Sequence, residues 1–174
     1  MEDRITVSQA GLKYGLILGL VFIVYGMLIQ FLNLDMQTTN YFNYVVYLFL
    51  IIAIVLGHKA YKEGGDGFMS IGQGLGIGML ITLVSAILSA IFSFIYLKFI
   101  DDSMLTKAMD FQIEQWEANG MSDEQIEQMS SMTAKFMTPA MAAGMSILVM
   151  LLAGFIISLI VSLFTKKSNP ALEV

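Results

Sequence analysis

The chain has no cysteine, one histidine and two prolines in 174 residues. Without cysteine it has no disulfide staple, no thiolate metal ligand and no thiol nucleophile. A lone histidine, His58, excludes a multi-histidine metal centre. With so little proline, long helices are rarely interrupted. Charge is scarce too: 13% of the residues are Asp, Glu, Lys or Arg, against about 25% in a soluble domain. The nine basic residues form no cluster of the kind that grips nucleic acid. The net charge is −5.

What is present is apolar. Hydrophobic residues make up 57% of the chain, and the mean hydropathy is +0.75. That composition belongs to a membrane protein. Four stretches lack every Asp, Glu, Lys, Arg and His: Tyr14–Leu34, Met36–Gly57, Gly67–Leu97 and Phe136–Thr165. Each exceeds the roughly 18 apolar residues that suggest a span. The predicted spans are 14–34, 40–57, 70–98 and 139–164, with an insert over 101–138. The first run is longer than the apolar core of a cleaved signal and leads into "FLNLDMQ" rather than a small-x-small site, so an uncleaved span is expected. The expected fold class is all-α: a polytopic transmembrane four-helix bundle with an extracytoplasmic amphipathic helical hairpin between spans three and four.

Lys and Arg set the expected orientation. Arg4 and Lys13 precede span one, Lys59 and Lys62 lie between spans two and three, and Lys166 and Lys167 follow span four. The segment between spans one and two has no basic residue. That between spans three and four has Lys98, Lys107 and Lys135 beside eight acids. Both termini and the 58–66 loop are therefore expected in the cytoplasm, and the acidic insert outside. In a bacterium this is the inner membrane with the insert in the periplasm.

Within the insert, a helix is expected from Met104 to Ala118, with Ser103 as N-cap and Gly120 in the left-handed position that ends it. Ser122 with Gln125 spells a capping box for a second helix. Asp123 and Glu124 in its first turn suit the helix dipole. Leu105, Met109, Ile113 and Trp116 make one apolar stripe, and Ile126, Met129, Thr133 and Phe136 another. Trp116, Ile126, Met129 and Phe136 are the candidate contacts for a protein partner. Thr138–Pro139 fits N-cap and N1 of span four; alternatively the helix runs straight through with Pro139 as a kink. Met129, Met132, Met137, Met141 and Met145 recur at helical spacings. Thioethers suit Cu(I), but Met is also a flexible filler at helix interfaces. No His or Cys stands beside them, so no metal is expected.

Helices in lipid associate through close backbone approach rather than apolar burial. Gly11, Gly15 and Gly19 fall on one face of span one. Gly72, Gly74, Gly76 and Gly78 open span three, followed by Ser85 and Ser89. Span four offers Gly154 and Ser158. These are the candidate packing residues, and a face left over would suit a homo-oligomer. Span two, "YVVYLFLIIAIVL", is bulky and is expected to face lipid. "GLKYGLILGLV" at Gly11–Val21 echoes "GLGIGMLITLV" at Gly74–Val84, the pattern of a parallel repeat, although two spans rich in Leu and Gly also match by chance.

Catalytic signals are missing. "GQGLGIG" has neither the Lys of a P-loop nor a preceding strand. "EGGDG" at Glu63–Gly67 has too few oxygen ligands for a calcium loop. Asp101 and Asp102 point about 100° apart on a helix and are expected to be solvated end charges. Apart from Lys98 at the end of span three, the predicted spans contain no Asp, Glu, Lys, Arg or His, which counts against a proton relay or an energised pump.

Three segments carry a family resemblance: "GLKYGLILG" (Gly11–Gly19), "GFMSIGQGLGIGMLITLVSAILSAIFSFIYLKFID" (Gly67–Asp101), and "GMSDEQIEQM" with "KFMTP" (Gly120–Pro139). With the fourth span and its Lys-Lys tail, the chain resembles the bacterial membrane-protein family called domain of unknown function 4199. The resemblance implies four spans and brings no activity, cofactor or catalytic residue. The expected role is a non-enzymatic scaffold or accessory subunit in the lipid bilayer, bound to a membrane or periplasmic protein. A small oligomeric transporter or channel for a neutral or lipidic solute is the alternative.

Overall fold

The computed structural model of the chain describes residues 4–168. Among them lie seven α-helices and one isolated antiparallel bridge. The helices are α1 (Val7–Leu32), α2 (Met36–Asn43), α3 (Val45–Glu63), α4 (Ile71–Phe99), α5 (Ser103–Ala118), α6 (Asp123–Ala134) and α7 (Pro139–Thr165). Four segments are long and apolar enough to cross a membrane: α1, α2 with α3, α4, and α7.

Local sequence explains where the helices start. Thr6 caps α1 and Gln9 reaches back to it. Ser70 and Gln73 do the same for α4, and Ser122 and Gln125 for α6. Each box satisfies amide groups that a helix start leaves without partners. Thr138 caps α7 with Pro139 at its first position. Gly120 adopts φ 76° after α5, a left-handed turn that favours glycine. One cap differs from expectation. Asp102, not Ser103, precedes α5, and the Ser103 amide donates to Asp101 instead.

The second span departs from the uninterrupted 40–57 helix. It begins as α2, capped by Asp35, turns at Tyr44, and continues as α3 to Glu63. His58, Lys59 and Lys62 therefore ride on a helix rather than in a loop. Span two is also not merely lipid-facing: Leu50, Ala53, Ile54, Gly57 and His58 are buried against the other spans.

The centre of the bundle is α4. It runs beside α1 in parallel: a Cβ on Gly11 would meet Leu80, on Gly15 Val84, and on Gly19 Leu88. It runs antiparallel to α7, where Gly74 faces Ser162, Gly78 faces Ser158, and Thr82 faces Gly154. A Cβ on Gly78 would sit 2.6 Å from the Ser158 Cβ, so only glycine allows this approach. The hydroxyls of Ser158 and Ser162 are buried and have no hydrogen-bond partner among the described residues. The two echoing segments thus do different jobs: the glycines of α1 receive side chains of α4, while those of α4 receive serines of α7.

The chain ends gather at one end of the bundle. Met69 and Lys167 exchange backbone hydrogen bonds of 3.0 and 2.9 Å, and the Ile5 amide donates to the Gly64 carbonyl at 3.0 Å. We call this the terminal end. The opposite end, where α5 and α6 sit, is the insert end.

Candidate functional site

Packing is uneven along the bundle. From the middle of the bundle toward the terminal end Leu50, Ile54, Ile77 and Ile81 are fully buried. Here His58 joins three helices. Its Nε2 lies 2.8 Å from the Gly74 carbonyl and its Nδ1 2.7 Å from the Thr165 hydroxyl. A carbonyl oxygen only accepts, so Nε2 carries a proton. In a neutral ring Nδ1 then accepts, so it and the Val161 carbonyl, 2.8 Å from the Thr165 hydroxyl, compete for that hydroxyl's one proton. Lys62 donates to the Thr165 carbonyl at 2.9 Å. His58 is wholly buried among these three helices.

The insert end is looser. On α7 the buried residues are Gly154, Ser158, Val161 and Ser162, all in its second half. On α4 none beyond Ala90 is buried. Two lateral clefts open there. One, of about 300 Å³, lies between α1 and α4, with Gly26, Met27, Ser93 and Tyr96 in its walls. The other, of about 390 Å³, lies among α1, α3, α4 and α7, with Asn43, Tyr47, Ser146 and Met150 in its walls.

A polar cluster sits above the first cleft. Asp101 Oδ1 accepts from the Ser103 amide at 2.9 Å, and its Oδ2 accepts from Gln30 Nε2 at 3.3 Å. Lys107 Nζ donates to Asn33 Oδ1 at 2.5 Å. These bonds tie the end of α1 to the start of α5. The Ser103 amide first, then its hydroxyl, Gln30 and Lys107, holds the Asp101 carboxyl below its ordinary range. Asp101 is thus a half-exposed end charge that is also anchored by two hydrogen bonds. Gln30 and Asn33 stand about seventy residues away in sequence, 71 and 74 positions from their partners. No local pattern could have found them.

Helices α5 and α6 contain no buried residue. Trp116 and Ile126 are half-buried, whereas Met129 and Phe136 are exposed, at 40% and 63%. Met132 joins them at 52%, so the outward stripe runs Met129, Met132, Phe136. Ile126 and Thr133 belong to its half-buried side, with Ser130 and Met137.

Of the candidate packing residues, Gly11, Gly15, Gly19, Gly74, Gly78, Gly154 and Ser158 lie at helix contacts. Gly76 faces only Val7, at 3.3 Å, and Gly72 meets no other helix. Ser85 is buried and bonds the Thr82 carbonyl, and Ser89 bonds the Ser85 carbonyl. Among the described residues there is no group of three or more His, Cys, Asp or Glu placed to hold a metal ion.

Four apolar spans, no strand among the described residues and an exposed helical insert define an all-α polytopic membrane protein. The family described as "Protein of unknown function (DUF4199)" matches residues 13–167, and the chain belongs to it. No curated protein and no solved structure matches the chain.

Proposed function

We propose that the protein is a non-enzymatic accessory subunit of the bacterial inner membrane, docking another envelope protein through its insert. Both termini face the cytoplasm in this reading and the insert faces outside, as the distribution of Lys and Arg favours. One observation carries it. Helices α5 and α6 contain no fully buried residue, yet they present Met129, Met132 and Phe136 as an exposed stripe. The same helix carries Asp123, Glu124 and Glu127. Acidic flanks are repelled by anionic lipid surfaces, so the stripe suits a protein with an apolar centre and a basic rim.

The test is photo-crosslinking in native membranes from probes at positions 132 and 136. A single stoichiometric protein partner, lost in the Glu124→Lys/Glu127→Lys variant, is the expected result. Adducts to lipid alone, or a partner insensitive to the charge reversal, would sink the docking role.

A second reading, passage of a neutral or lipidic solute, is favoured by the two lateral clefts. Leu50, Ile54, Ile77 and Ile81 fill one chain from its middle toward the terminal end, so such a path requires an oligomer. Flux in proteoliposomes that scales with the oligomeric fraction supports it; flux absent from that fraction ends it.

A further inference from the structure

The cleft between α1 and α4 is the first of three neighbouring hollows, each sharing lining residues with the next, that line up as a trough. Beyond Gly19 the two helices separate, and a Cβ on Gly26 would meet nothing within 4 Å. The cleft there is apolar, with Phe22, Met27 and Phe92 among its walls. Its upper limit is Gln30 and Met104, which also bound a small polar niche of about 40 Å³ reaching Asp101 and Lys107. Lys107 and Asn33 in turn border a hollow of about 500 Å³ lined by Asp35, Asp110 and Glu114. From the ends of the spans outward, the lining changes from apolar, to the Lys107 ammonium beside the Asp101 carboxylate, to three further carboxylates.

We propose that this trough binds one molecule of a zwitterionic aminophospholipid. An acyl chain lies between α1 and α4, the phosphate meets Lys107, and the primary ammonium lies among Asp35, Asp110 and Glu114. The order of charges supports that chemistry. In an ethanolamine phospholipid the phosphate is nearer the chains and the ammonium farther out, as Lys107 is nearer the cleft than the three acids. Lys107 has three N–H donors and among the described residues directs one to a hydrogen bond, that with Asn33. Asp101 is already committed to Ser103 and Gln30, so it shapes the neck. Asp110 and Glu114 are like charges four residues apart on α5, a destabilising pair that a cation between them relieves. An anionic phosphoglycerol headgroup satisfies Lys107 but brings no cation to the acids. A quaternary choline headgroup brings a cation without N–H donors.

The experiment uses the purified, delipidated full chain in detergent. It is titrated by native mass spectrometry with phosphatidylethanolamine and with phosphatidylglycerol of identical acyl chains. We expect one phosphatidylethanolamine per chain, held about tenfold more tightly than phosphatidylglycerol. The Asp110→Asn/Glu114→Gln variant, altered only at exposed positions, should bring the two lipids within about threefold of each other. Lys107→Gln should weaken both. Gly26→Leu should fill the cleft and remove the tight site for both, with an unchanged melting temperature. Equal affinity for the two lipids overturns the proposal, as does a preference that survives the acid double variant. That variant keeps the headgroup assignment testable even if Gly26→Leu fails to fold. Undiminished binding by a folded Gly26→Leu protein places the chain elsewhere and also overturns it.

Discussion

The terminal and insert halves of the bundle are made from the same helices and are packed by different rules. At the terminal end, glycines on α1 and α4 let neighbouring helices close to backbone distance, and His58 ties α3 to α4 and α7. At the insert end, α7 still carries small residues, Ala140, Ala142, Ala143 and Gly144. Yet a Cβ on Gly144 would meet nothing within 4 Å. Small residues permit close approach but do not enforce it. What closes one half is complementarity: Gly74 and Gly78 on α4 have serines opposite, and Gly11, Gly15 and Gly19 on α1 have branched side chains.

The largest effect should come from making the halves exchange roles at one residue. Gly78→Leu places a side chain against Ser158 and should destabilise the fold by about 3 kcal/mol, at the upper end of overpacking costs. Gly144→Leu, the same change at the open end, should leave the thermal melt in detergent within about 0.5 kcal/mol. Equal melts for the two proteins would erase the distinction.

His58→Ala should cost slightly less, about 2 kcal/mol, from the lost packing and from the lost side-chain bonds to the Gly74 carbonyl and the Thr165 hydroxyl. His58→Gln, which retains an N–H, should recover part of the loss in the same melt. Removal of residues 104–137 should cost about 1 kcal/mol or less, because neither α5 nor α6 contains a buried residue. A large fall in melting temperature would show that the insert end supports the terminal end.

The smallest effect concerns Asp101. Its carboxyl is held below the ordinary value by the Ser103 amide first. A depressed folded-state value means that the stabilisation is complete above the ordinary value and lost as pH falls through the depressed one. The Gln30 side-chain amide resonances should therefore stay constant from neutrality down to about pH 4 and move only below it. Asp101→Asn should abolish that acid limb. Movement near pH 6 would contradict the assignment.

Much of the helical outline was legible. Charge-free runs marked the spans, because every buried charge in a bilayer is costly. Ser122 with Gln125, Thr138 with Pro139, and Gly120 marked helix limits through local chemistry. The buried face of α3 was not legible. Lipid is as apolar as leucine, so hydrophobicity carries little inside–outside contrast within a span. Leu50 and Ile54 are fully buried while Ile51 and Val55, in the same run, are exposed. The break at Tyr44 was hidden because its residues are as uncharged as the span they interrupt. The site was less legible still. Gln30 with Asp101, Asn33 with Lys107, and His58 with Thr165 are pairs made by helix packing, not by sequence spacing. Gly72, spaced like a packing residue, meets no neighbouring helix because it lies off the face that α4 turns to α7.

The Gly154–Thr82 crossing also has a mechanical consequence. Beyond it α7 extends toward Pro139 for about 22 Å, at 1.5 Å per residue, with no buried residue along that arm. It is a lever with its fulcrum near the midpoint of the helix. A tilt of about 5° at the crossing, within the scatter of ordinary helix-packing angles, swings the Pro139 tip by about 2 Å. The hairpin enters α7 at that tip, so a displacement too small to unseat a glycine from its serine becomes a shift the width of an atom where the insert begins.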